Sequence, residues 1–143
     1  MDRRTFLHHG CLACAAMMTP ALLTSCASAA PLMGSLEGDD LVLAPGAFTG
    51  PDGSMKSSVV VGHKSLKQPI VVFRDADGGY HALLMRCTHR GAELRLTGDR
   101  LDCPAHGSAF DAHGAVLEGP ASTPLHSYPV REQDGRLRVS LKA

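Results

Sequence analysis

Two short stretches of this chain concentrate thiols and imidazoles: Cys87-Thr88-His89-Arg90-Gly91 and Cys103-Pro104-Ala105-His106-Gly107-Ser108. The pattern is Cys-x-His, thirteen intervening residues, then Cys-x-x-His, with Thr97-Gly98-Asp99 able to reverse the chain so that both stretches meet at one tip. Thiolate and imidazole are soft or borderline donors, which suit zinc, copper and iron–sulfur centres. Zinc motifs commonly leave about two to four residues between paired ligands, so Cys-x-His is tight for closing a tetrahedron around one ion. A binuclear cluster relaxes that limit, because each stretch can give its cysteine to one metal and its histidine to the other. A plain Cys87–Cys103 disulfide is the bland alternative, and it leaves the two matched histidines without a role.

Ligand type and order together resemble the Rieske family, in which two histidines replace two cysteines on one iron of a [2Fe–2S] cluster. The likeness extends to Gly91, Pro104, Gly107 and Ser108 in the two loops and to Gly119-Pro120-Ala121-Ser122-Thr123-Pro124 as a proline-rich third loop, covering about residues 87–130. It implies one cluster per chain, with Cys87 and Cys103 on one iron and His89 and His106 on the other. It further implies that Gly91 and Gly107 let the backbone approach the sulfides, that Pro104 stiffens its loop, and that the third loop shields the cluster from water. Neutral imidazoles in place of thiolates raise the reduction potential, an exposed imidazole couples electron transfer to protonation, and Ser108 would donate to a bridging sulfide. Three departures stand out. Quinol-oxidising members carry a disulfide at the positions of Ala92 and Ala105 and tend to carry tyrosine at that of Phe110, and the gap from His89 to Cys103 is short for the family. An intermediate potential is therefore expected.

The elements that must position these loops read as short β-runs at Leu41–Leu43, Ser57–His63, Ile70–Asp75, Tyr80–Arg86, Tyr128–Glu132 and Arg136–Leu141, bounded by Gly, Pro and Asp. Asp77-Gly78-Gly79 and Asp134-Gly135 are hairpin signals, and nothing suggests a long helix. The predicted fold is all-β: a small antiparallel barrel or sandwich over residues 39–143, with an inserted cluster-binding subdomain whose loops span about 85–124. Leu84 and Met85 should pack beneath that subdomain, and Asp111-Ala112-His113-Gly114 should form a turn. His63, His81, His113 and His126 lack ligand spacing and read as surface or boundary residues, and Arg90 as a solvated loop tip.

Composition narrows the function classes. The 143 residues carry 14 Lys+Arg against 14 Asp+Glu, and only two Tyr and four Phe with no Trp, which excludes the charged or stacking face of a nucleic-acid binder. Arg3-Arg4-Thr5-Phe6-Leu7, an apolar stretch and small residues make 1–30 similar to a twin-arginine export signal, with 31–38 as a tether. Two endings compete: cleavage near Ala27-Ser28-Ala29, or a lipoprotein box ending at Cys26. An uncleaved anchor is weaker, since Pro20 interrupts the span. Removal of 1–30 leaves Cys87 and Cys103 as the two cysteines of the exported domain. About 113 residues have no room for a second cofactor domain or a facial-triad iron site with its own substrate pocket. The expectation is a periplasmic or membrane-tethered one-electron carrier, or a small subunit, whose partner is a cytochrome or the large subunit of an oxidoreductase. The alternatives are the Rieske subunit of a quinol-oxidising cytochrome bc-type complex and a nonredox, zinc-stabilised β domain.

Overall fold

The structure, a computed structural model, describes residues 30–142. The segment read as an export signal, Cys26 included, lies outside the described residues except for Ala30. In chain order the strands are β1 (Leu32–Met33), β2 (Ser35–Glu37), β3 (Asp40–Leu43), β4 (Ser58–Gly62), β5 (Ile70–Arg74), β6 (Tyr80–Leu84), β7 (Arg95–Thr97), β8 (Arg100–Asp102) and β9 (Ala109–Phe110). They continue as β10 (Val116–Glu118), β11 (Ser127–Tyr128), β12 (Val130–Gln133) and β13 (Arg136–Ser140). No helix occurs among the described residues.

Three sheets result, ordered β1-β4-β5-β6-β11, β12-β13-β3-β2 and β10-β9-β8-β7. The first is the central layer. In β5 the alternating side chains divide between two cores: Ile70 and Val72 face Leu41, Val59, Val61, Ala82 and Val139, while Val71 and Phe73 face Leu83, Met85, Leu101 and Phe110. A strand covered on both faces reads as an unbroken apolar run, which is why Ile70-Val71-Val72-Phe73 shows no polar alternation. Leu84 and Met85 accordingly part company: Met85 packs under the cysteines, whereas Leu84, one residue earlier and on the opposite face, packs against the other core. The expectation that both lie beneath the cluster subdomain is corrected on that point.

The subdomain is inserted between hydrogen-bonded neighbours. β6 pairs antiparallel with β11 through Ala82–Tyr128 and Leu83–Ser127, and the Leu84 N–H donates to the His126 carbonyl at 2.9 Å. Residues 85–126 thus leave and return to one point of the central sheet. The turn at Asp134-Gly135 has φ of 53° and 69°, the left-handed pair that a two-residue hairpin requires.

Two expectations need correction. The stretch 31–38 is not a tether throughout: β1 pairs with β4 in parallel, and β2 pairs with β3 in the terminal sheet, where Glu37 also meets Arg136 and Arg138. Runs this short leave too little alternation to be read from sequence. The strand expected over Tyr128–Glu132 is split at Pro129, which has no N–H to donate, so that β11 joins the central sheet and β12 the terminal one.

Candidate metal centre

The two Cys/His stretches fold as one backbone device used twice. In the first, the Cys87 N–H donates to the Ala92 carbonyl (2.8 Å) and the Gly91 N–H to the Cys87 carbonyl (2.8 Å). In the second, the Cys103 N–H donates to the Ser108 carbonyl (2.8 Å) and the Gly107 N–H to the Cys103 carbonyl (3.0 Å). Each loop closes on a glycine four residues after its cysteine, with φ of 78° at Gly91 and 80° at Gly107, a conformation other residues adopt only with strain. Hairpin β7–β8, turning tightly between Thr97 and Arg100, carries the second loop back beside the first.

The cysteines sit at the bottom of the pair. Cys87 and Cys103 are both buried and both free thiols, against the core of Met85, Leu94, Leu101 and Phe110. Burial pushes the Cys103 thiol up, but hydrogen bonds from the backbone N–H groups of His106 and Ala105 and from the Cys87 thiol outweigh it and hold it below the ordinary thiol range. The His89 and His106 rings lie side by side, centroids 4.9 Å apart and nearly perpendicular at 87°. His89 is half-buried, and its Nδ1 is buried without a hydrogen-bond partner among the described residues. His106 is exposed.

The third loop locks onto both. Fully buried Ser108 accepts a hydrogen bond at Oγ from the Ala121 N–H (3.0 Å), leaving its hydroxyl proton free to donate. Thr88 donates from its hydroxyl to the Thr123 carbonyl (2.7 Å). Pro104 and Ala105 are exposed, Ala92 packs against the core beside the cysteines, and Phe110 is wholly buried in it. Asp111 forms the turn its sequence implies: the Gly114 N–H closes onto its carbonyl (3.0 Å), while its carboxylate accepts from the His113 and Ala115 N–H groups (2.9 and 2.8 Å).

Some supporting residues escape sequence reasoning. The Arg86 guanidinium lies over Gly91, where an added Cβ would meet its Nε at 3.0 Å, and Gln68 donates to the Gly91 carbonyl at 3.3 Å. Neither has a spacing that marks it; the signal is tertiary.

Two buried thiols, that of Cys103 receiving backbone N–H donors, and an unsatisfied imidazole nitrogen two residues from Cys87 form a donor set for soft cations. An orphaned buried nitrogen of this kind costs about 1–3 kcal/mol unless something binds it. The residues therefore fit a metal group held by two thiolates and two imidazoles.

Known proteins resemble this chain over the region that carries these loops. The family model described as Rieske [2Fe-2S] domain matches residues 48–129, more than half of the chain. The terminal sheet, β12-β13-β3-β2, lies outside that span. The putative Rieske 2Fe-2S iron-sulfur protein YhfW of Bacillus subtilis is 46% identical over 55 residues, 37% of this chain and 11% of that protein. The cytochrome b6-f complex iron-sulfur subunit of Chlorobaculum tepidum is 32% identical over 73 residues, 50% of this chain and 40% of the subunit. This chain thus spans well under half the length of either, and the likeness is to a domain of each. Among solved structures, the cyanobacterial plasma membrane Rieske protein PetC3 from Synechocystis is similar with a TM-score of 0.50 and 29% identity, over 58% of this chain and 85% of that one. Among the described residues of this chain, no helix is long and apolar enough to cross a membrane.

Proposed function

This chain belongs to the Rieske [2Fe-2S] domain family, binds that cluster and transfers electrons through it, and from that premise we propose that it is a periplasmic one-electron carrier or small subunit. Bound in its site, the cluster supplies a couple that gains and loses one electron at a time. In this reading Cys87 and Cys103 hold one iron as thiolates, and His89 and His106 hold the other through a ring nitrogen. The observation that carries the assignment is the buried, unpartnered Nδ1 of His89 in a pair of loops that also holds two buried thiols.

The protein's own groups then divide the work. Backbone N–H groups of Ala105 and His106 stabilise negative charge on the Cys103 sulfur. Gly91 and Gly107 close the loops without side chains at their left-handed turns, and Pro104 stiffens the second. Ser108, anchored by Ala121, offers its hydroxyl proton toward the cluster and so favours the reduced state. Exposed His106 forms the face at which a cytochrome or an oxidoreductase large subunit docks. Arg3-Arg4 and the small residues before Ala30 support export, with attachment to the membrane through a lipid on Cys26 or an uncleaved signal.

Electron paramagnetic resonance of the purified protein, poised separately with ascorbate and with dithionite, tests the assignment. A Rieske signal that appears only with dithionite fits a carrier for soluble partners, as alanines at 92 and 105 suggest. A signal already present with ascorbate moves the reading to a quinol-oxidising complex, which the likeness to a cytochrome b6-f subunit favours. No signal in matured protein overturns it.

A further inference from the structure

We propose that Asp75, His81 and His113 form a second site, separate from the Cys/His loops, that binds a single divalent transition-metal ion. Asp75 and His81 flank the β5–β6 hairpin, Asp75 just after β5 and His81 on β6, while His113 comes from the turn between β9 and β10. One ligand atom from each lies within 4.8 Å of the others.

The hydrogen bonding of His81 carries the argument. Its Nε2 lies 2.7 Å from the Ala112 carbonyl, which can only accept, so Nε2 bears a hydrogen. A neutral ring then has its lone pair on Nδ1, and Nδ1 lies 2.8 Å from Oδ1 of Asp75. Two acceptors at that separation repel each other unless a cation lies between them, either a proton or a metal ion. A proton satisfies the pair alone and uses His113 only as a stacking neighbour. A metal ion uses all three groups, and the bond from Nε2–H to a backbone carbonyl is the support that a metal-bound histidine characteristically has.

Packing fixes His81 and keeps His113 beside it. His81 is stacked between Phe73 (centroids 5.3 Å apart, 17°) and His113 (4.9 Å, 26°). The Asp111 carboxylate fixes the backbone of the turn that presents His113. Ligand atoms at about 2.1 Å from one ion stand at most about 4.2 Å apart, so exposed His113 must turn out of its stack on His81 for a ring nitrogen to reach the ion. Asp75 and His81 keep 34% and 24% of their side-chain surface, enough for water to complete the coordination shell. Two imidazoles and one carboxylate with open positions suit divalent first-row ions.

Zinc is the probe, because it is redox-silent and leaves the cluster couple undisturbed. The untagged, cluster-loaded full chain is titrated with Zn(II) by calorimetry, alongside His113→Ala and Asp75→Asn, with the cluster followed by its paramagnetic signal. The expected result is one zinc that both variants weaken by about tenfold or more, with the cluster signal intact throughout. Because His113 is exposed on a turn, His113→Ala keeps the fold and the comparison holds. Zinc binding that neither variant alters, binding that displaces cluster iron, or no binding at all overturns the proposal; Asp75 and His81 are then a proton-bridged ion pair.

Discussion

The loops 87–92 and 103–108 share one pattern of backbone hydrogen bonds, yet His89 stands two residues after its cysteine and His106 three. With closure fixed at the glycine, that one-residue shift turns the imidazoles to different surroundings. The first loop is enclosed, with Arg86 over Gly91, Gln68 on its carbonyl, Thr88 tied to Thr123 and His89 half-buried. The second is open: His106 is exposed, and among the described residues nothing beyond the adjoining residues lies within 4 Å of where a Gly107 Cβ would be. Chemically alike imidazoles thus acquire different access to solvent from their surroundings alone, and under the proposed function the second loop is the side that a redox partner approaches.

Removing a ligand from either loop should erase the comparison. His89→Ala and His106→Ala are each expected to abolish the Rieske paramagnetic signal, since either leaves one iron short of a ligand. A wild-type spectrum in either variant removes that histidine from the ligand set.

Ser108→Ala is next in size and acts on the second loop and on the third loop anchored to it. It leaves the Ala121 N–H buried without its partner, at a cost of about 1–3 kcal/mol by denaturant unfolding. It should also lower the reduction potential while the cluster is retained. An unchanged potential in a redox titration means that the hydroxyl serves only to anchor the third loop.

The sequence reveals the centre more fully than the scaffold, for a physical reason. The loops are local: Cys87 to Gly91 and Cys103 to Gly107 each close within five residues, so ligand type and spacing carry nearly all of their information. The hairpins at Gly98 and Asp134-Gly135 are legible for the same reason, through residues suited to left-handed turns. β1 and β2 are not, because two or three residues show no period and their pairing depends on β4 and β3, already in place. His81 and His113, 32 residues apart, meet only because the turn after β9 packs against β6, and no local spacing announces it.

The glycines sharpen the contrast between enclosed and open loops. Both sit at positive φ, so Gly91→Ala and Gly107→Ala should each cost about 1–2 kcal/mol of backbone strain. The added methyl at 91 also meets Arg86, but at the far end of a flexible side chain that can move aside. Nearly equal losses in Tm are therefore expected. A much larger loss at 91 would show that Arg86 is a fixed wall of the first loop.

The smallest effect expected is that of Thr88→Val, which keeps the shape of the side chain and deletes its bond to the Thr123 carbonyl. Thr88 and Thr123 are exposed, so water can replace the lost partner, and the global cost should stay within about 0.5–1 kcal/mol. The local consequence is larger. That bond ties the third loop to the first, while Ser108 ties it to the second, so losing it frees one side of the cover only. Amide hydrogen exchange should then quicken around Thr123 and stay slow at Ala121, whose N–H remains on Ser108. Equal quickening at both positions would mean that the cover opens as one unit, and that the two loops are enclosed together.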